Sequence, residues 1–185
     1  MRVRLELKLF EPALVGRDRE NEQFMNLLNL AFDGKGITIL ICGEAGVGKT
    51  RLANEFLNLA KKRGVTVLVG RCLSKVNIPY FPFREAVNAY MSTLIDEKAR
   101  STVRKHLEVT GWLKESEFEG KQEKRELLST PKIDKDRTFE AAADFFLHLS
   151  RRNPVILFID DLHWADHLSL SLLHYLSRKC KNARF

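Results

Sequence analysis

Gly43-Glu44-Ala45-Gly46-Val47-Gly48-Lys49-Thr50 sets glycine, lysine and threonine at the spacing G-x-x-x-x-G-K-T. That spacing suits the binding of a polyphosphate. Glycines let a backbone curl around an anion with its N–H groups turned inward. A helix that starts at the loop adds the partial positive charge of its N-terminus. Lys49 can reach the β- and γ-phosphates of a nucleotide, and the Thr50 hydroxyl can hold Mg²⁺. Arg51 follows at once and is counted with the loop, so the nucleotide-binding stretch runs from Gly43 through Glu44, Ala45, Gly46, Val47, Gly48, Lys49 and Thr50 to Arg51. By average residue usage such a match arises by chance about four times per 100,000 positions, which makes coincidence in a short chain a poor explanation.

A second constellation lies far downstream. Val155-Ile156-Leu157-Phe158-Ile159 is an apolar run, and Asp160 and Asp161 follow it directly. In open α/β sheets ligands sit at the carboxyl ends of the strands, so these acids are expected on the rim that carries the glycine loop. Asp160 has the position of a Mg²⁺-supporting acid, and Asp161 that of a group that orients or polarises an attacking water. His163 and His167 are four apart, a spacing that can pair ligands on one helix face, but Asp166 reads as the cap of the helix that follows. His163 is therefore expected in the turn before that helix, without zinc, and Trp164 is expected as a core plug.

The flanking sequence supplies elements able to hold these residues. Ile37-Thr38-Ile39-Leu40-Ile41-Cys42 is apolar, β-branched and of strand length, and Val65-Thr66-Val67-Leu68-Val69-Gly70 is another such run. Phe24, Leu27, Leu28 and Ala31 recur at helical spacing before the loop, as do Leu52, Ala53, Phe56, Leu57 and Ala60 after it. Helix-length connections between strands predict parallel crossovers. Further helices are expected over residues 83–95 and 97–109, from about Arg137 with Phe139, Ala142, Ala143, Phe146 and Leu147 on one face, and after Asp166 with Leu168, Leu172, Leu173 and Leu176. Asn77 to Pro82 reads as a loop with aromatics that either pack over the sheet or meet a partner. Residues 1–13 form a tail or short strand, and residues 114–136 a charged helical insertion.

Composition excludes several classes. The 185 residues are 44% hydrophobic and 30% charged, which suffices for one α/β core. No apolar run approaches the ~20 residues of a bilayer span, and the charged–apolar alternation of residues 1–10 is unlike a signal peptide. Three cysteines, Cys42, Cys72 and Cys180, have no metal-ligand spacing. Cys42 and Cys72, in or beside expected strands, are read as buried thiols of a cytoplasmic protein. The net charge of +7 raises the question of nucleic acid. However, Lys61-Lys62-Arg63, Arg151-Arg152 and Arg178-Lys179 all fall at expected helix C-termini, where cations complement the dipole. Direct nucleic-acid binding is not expected.

Three motifs taken together, Leu14-Val15-Gly16-Arg17, the loop at 43–50 and Asp160-Asp161-Leu162-His163-Trp164-Ala165-Asp166, resemble the AAA-like ATPase domains of the STAND class. These are signalling ATPases of large LuxR-type and cyclase-linked proteins, related to origin-recognition AAA+ ATPases. The resemblance implies a P-loop NTPase fold, three layers α-β-α around a mostly parallel sheet, over residues 14–185. It implies ATP and Mg²⁺ as cofactors, Val15 and Gly16 near the adenine and Arg17 beside the pocket. Lys49 and Asp161 would then be the catalytic residues, and Thr50 and Asp160 the metal-binding ones. It also implies a further strand between the loop's strand and the Asp160 strand, beginning just after Ala183, so that in this chain the two either pair directly or leave a slot open to an added strand. Sensor residue, arginine finger and helical lid would lie outside the chain, as would the output domains it couples to. The expected function is ATP binding and Mg²⁺-dependent hydrolysis as the switch of a larger regulatory ATPase. An origin-recognition type of DNA-loading ATPase and a non-hydrolysing nucleotide-binding scaffold are the alternatives.

Overall fold

The computed structural model describes residues 16–76, 78–108 and 135–185. Val15, the tail at 1–13 and nearly all of the charged 114–136 stretch lie outside the described residues. Among the described residues six α-helices and two strands follow in the order α1 (Asp18–Phe32), α2 (Lys49–Lys62), β1 (Thr66–Arg71), α3 (Phe81–Thr93), α4 (Glu97–Glu108), α5 (Lys135–Arg152), β2 (Val155–Asp160) and α6 (His167–Lys179). The strands pair in parallel, from Thr66 opposite Val155 to Arg71 opposite Asp160. This register follows from two apolar runs that each end where polar residues begin.

Because side chains alternate across a strand, the pair feeds two apolar clusters. Val67, Ile156 and Phe158 pack with Phe24 and Leu28 of α1 and Phe56 and Leu57 of α2. The Phe24 and Phe56 rings stack there at 4.7 Å. Leu68, Val155 and Leu157 pack instead with Phe83 and Val87 of α3, Phe145 and Phe146 of α5, and Leu172 and Leu176 of α6. A fully buried side chain of this kind contributes roughly 1.5–3 kcal/mol. Gly70 permits the close approach of α3 to β1, since a Cβ there would meet the Pro82 carbonyl oxygen at 1.9 Å.

The run Ile37–Cys42 departs from expectation. Its β-branched residues suit a strand, but it joins no sheet among the described residues. The Ile37 amide donates to the Phe185 carbonyl, whereas among the described residues the amides from Thr38 to Cys42 have no backbone partner. Val155 donates to the Arg184 carbonyl at 2.8 Å, so residues 184 and 185 stand between the two runs at one end. Beyond them a cavity of about 1030 Å³ opens, with Ile37, Ile39 and Ile41 on one wall and Ile156 and Phe158 on the other. Among the described residues no strand stands in the slot expected between the loop's run and the Asp160 strand, and the two do not pair with each other.

Other expectations change in detail. Trp164 is not a core plug: it is 49% exposed, with His163 tilted against it at 5.1 Å between ring centres. A short turn ending in Ala165 keeps it outside the two clusters. α3 begins at Phe81 rather than 83, with Pro82 in its first turn; of the two aromatics expected in the loop, Tyr80 is buried in the core and Phe81 is half-buried. α5 begins two residues earlier than Arg137.

Cys42 is exposed because it borders the cavity beside β2, which corrects its reading as a buried thiol; Cys72 and Cys180 are buried. Burial pushes the Cys72 thiol up to about 11, with Asp166, Asp161, Glu85 and Asp160 adding to the effect, and burial likewise lifts Cys180 to about 11. A thiol whose native value is raised favours the folded state below its unfolded value, and that contribution is lost as pH rises through the native value. The expected result is that one thiol, Cys42, reacts quickly with a disulfide reagent near neutral pH, and that the melting temperature falls between about pH 9 and pH 11. Fast labelling of all three thiols in the native protein would contradict the packing of β1 and α6.

Candidate functional site: a glycine loop facing a strand-end carboxylate

Gly48 occupies the N-cap of α2 at φ +86°, a left-handed conformation that disfavours a side chain. As glycine it supplies no side-chain acceptor to the first-turn amides, and no acid stands in that turn. Lys49, Thr50 and Arg51 occupy it instead. Two cations at the positive end of a helix repel the dipole unless an anion is held there. Gly46 is also left-handed, at φ +83°, and the loop from Gly43 to Val47 is exposed. Lys49 folds back across the loop, its Nζ donating to the Gly43 carbonyl at 2.9 Å and the Glu44 carbonyl at 2.8 Å. The ammonium is therefore held over the concave face of the loop.

Asp160 ends β2 beside this helix. Its Oδ1 accepts from the Thr50 hydroxyl at 3.3 Å and from the Asp161 amide at 3.0 Å. The first of these contacts joins residues 110 positions apart in the sequence. Asp161 leaves the strand in a left-handed conformation, φ 54° and ψ 41°, and opens the 3₁₀ turn Leu162–Trp164. Such conformations cost of order 1–3 kcal/mol in a non-glycine residue, although aspartate tolerates them better than most. The turn leaves the Asp161 residue exposed on the rim. Asp166 caps α6 as expected, accepting from the Ser169 amide at 2.9 Å.

Arg17 approaches from the start of α1. Its Nη2 donates to the Val47 carbonyl at 3.4 Å, and its Nη1 pairs with Glu20, whose carboxyl is held below its usual range chiefly by that hydrogen bond. Gly16 precedes it with φ 78°. Loop, Thr50, Asp160, Asp161 and Arg17 therefore meet at one end of the molecule.

Arg71 was not singled out by sequence. It ends β1 opposite Asp160, and its Nη2 lies 3.7 Å from Asp160 Oδ2. Its own amide donates to Glu85 of α3 at 2.5 Å. The signal available in sequence was only that Val65–Gly70 is a strand and that the next residue is charged. Its partner depends on the lateral register of two strands some 90 residues apart in sequence, which periodicity does not supply.

The Thr50 hydroxyl and Asp160 carboxylate suit Mg²⁺, which prefers hard oxygen donors and is commonly held by one or two protein groups plus substrate phosphates. Among the described residues no group of three or more His, Cys, Asp or Glu side chains gathers as a metal cage. Among the described residues no helix is long and apolar enough to cross a membrane.

The family described as AAA ATPase domain matches residues 13–182. An uncharacterized protein of Rhizobium meliloti (strain 1021) is 25% identical over 178 residues, an overlap of 89% of this chain and 17% of that protein. The chain thus spans about a sixth of the relative's length. No solved structure matches.

Proposed function

The chain belongs to the AAA ATPase domain family, and on that premise we propose that it binds ATP with Mg²⁺ on the Gly43–Arg51 loop and hydrolyses it as the switch of a larger signalling ATPase of the STAND kind. Family membership supports nucleotide-dependent activity. The observation that carries the finer reading is the contact of Thr50 with Asp160, which brings the metal-holding hydroxyl and the strand-end acid to one point. The fold we infer is the three-layer P-loop NTPase arrangement, with Gly16 and Arg17 flanking the nucleotide and Val15 near the adenine.

Each residue has a defined task. The loop amides and the first turn of α2 bind the phosphates and orient them toward the rim. Lys49 exchanges its two loop carbonyls for phosphate oxygens, trading neutral acceptors for charged ones. Thr50 and Asp160 would hold Mg²⁺, which would supply charge neutralisation for the phosphates. Asp161 accepts a hydrogen bond from the water that attacks the γ-phosphorus. The strained backbone at Asp161 supports that role, because such strain clusters where a side chain must be aimed. Coupling to output domains outside the chain follows the general logic of nucleotide switches. The cytoplasm, where ATP and Mg²⁺ are plentiful, is the setting we infer.

Phosphate release from ATP tests this reading. Release that stops when Mg²⁺ is chelated is expected; release indifferent to chelation would overturn the roles of Thr50 and Asp160.

A further inference from the structure

A second concave surface lies on α6, and it is independent of the nucleotide reading. α6 turns Leu173, Leu176 and Ser177 toward the cavity beside the loop, and turns His174, Tyr175 and Arg178 toward a separate groove of about 750 Å³ that shares no lining residue with it. The floor of this groove is apolar. Tyr175 packs on Phe139 of α5 at 5.3 Å between ring centres, and Leu170 stands beside them 42% exposed. The lining is cationic: it includes Lys135, Arg178 and Lys179 together with His167 and His174, and none of the lining residues is acidic.

Arg178 and Lys179 complement the C-terminal dipole of α6, which accounts for them locally. Lys135 has no such account. It is the first residue of α5, where a cation opposes the dipole, and its Nζ stands 5.3 Å over the Phe139 ring. Among the described residues neither Lys135 nor Arg178 nor Lys179 enters an ion pair. Three cations around an exposed leucine call for a ligand with complementary charge and an apolar centre.

We propose that this groove docks an acidic amphipathic segment of a partner protein, with an apolar side chain on Leu170 and Tyr175 and carboxylates on Lys135, Arg178 and Lys179. Nucleic acid fits less well. The Phe139 ring is covered by Tyr175 and Lys135 and is 6% exposed, so it offers no open face for a base to stack on.

The test uses the whole chain and a fluorescent helical peptide with two leucines one turn apart among glutamates. Anisotropy should report saturable binding, weakened about tenfold or more by the charge reversals Arg178→Glu and Lys179→Glu together, and similarly by Leu170→Ser. An all-glutamate peptide of the same length should bind more weakly than the leucine-bearing one. Leu170→Ser should keep the wild-type melting temperature, since that side chain is exposed, whereas the Arg178–Lys179 reversal should lower it by a few degrees through the dipole of α6, so binding is read well below that transition. Binding that survives both variants, equal binding of the two peptides, or displacement by a single-stranded oligonucleotide that binds more tightly would each overturn the proposal.

Discussion

Lys49→Ala weakens ATP binding by roughly 30- to 150-fold, the loss of about 2–3 kcal/mol from charge-assisted hydrogen bonds to phosphate. Adenosine binding should change by no more than about twofold, because it lacks the phosphates on which that loss falls. The expectation rests on the position of Nζ over the Gly43 and Glu44 carbonyls, on the concave side of the loop. The substitution also releases those two carbonyls, but both belong to exposed residues that water can satisfy, so the melting temperature should hold. Calorimetry on the two ligands separates the outcomes. Equal losses for ATP and adenosine would mean that Lys49 acts through the shape of the loop rather than on phosphate.

Asp160→Asn and Asp161→Asn should divide the second half of the site. Asparagine at 160 keeps an oxygen for the Thr50 hydroxyl but removes the charge that attracts a divalent ion. Mg²⁺-dependent tightening of ATP binding should therefore fall by about tenfold or more, while binding without Mg²⁺ is preserved or improved. Asparagine at 161 tolerates the left-handed backbone nearly as well as aspartate, so the fold and ATP affinity should be unchanged. Phosphate release should slow by about 10²-fold or more, the usual weight of a positioned general base. Arg71 sharpens the comparison, since with the charge at 160 gone its guanidinium no longer offsets an adjacent carboxylate. If Asp161→Asn abolished binding and Asp160→Asn only slowed turnover, the two roles would be exchanged.

What could be read from sequence was what is determined locally. The Gly43–Thr50 loop carries its conformation in its own residues: glycines at the left-handed positions 46 and 48, and a helix whose apolar residues begin at Leu52. Val155–Asp160 is likewise legible, because an apolar run that stops at two acids marks both a strand and its rim. The Asp166 cap was readable for the same reason. What escaped reading depends on partners distant in sequence. The run at 37–42 has the composition of a strand, but pairing needs a neighbour, and among the described residues its amides from Thr38 onward have no backbone partner and Cys42 is exposed. Trp164 was misjudged because ring size argues for burial, whereas the turn from Asp161 fixes where the ring can go. Arg71 was invisible for want of register. In each case the pattern gave the element and the tertiary arrangement gave its exposure.

The central claim is that polyphosphate is held by the loop and the first turn of α2, with Asp160 facing it. Amide hydrogen exchange of the whole chain with and without Mg²⁺–ATP tests this most directly. Slowed exchange is expected across residues 43–51, spreading to Asp160 and Asp161 only when Mg²⁺ is present, with the His174–Lys179 turn of α6 unchanged. Protection confined to another surface, or none at the loop under saturating ATP, would contradict it.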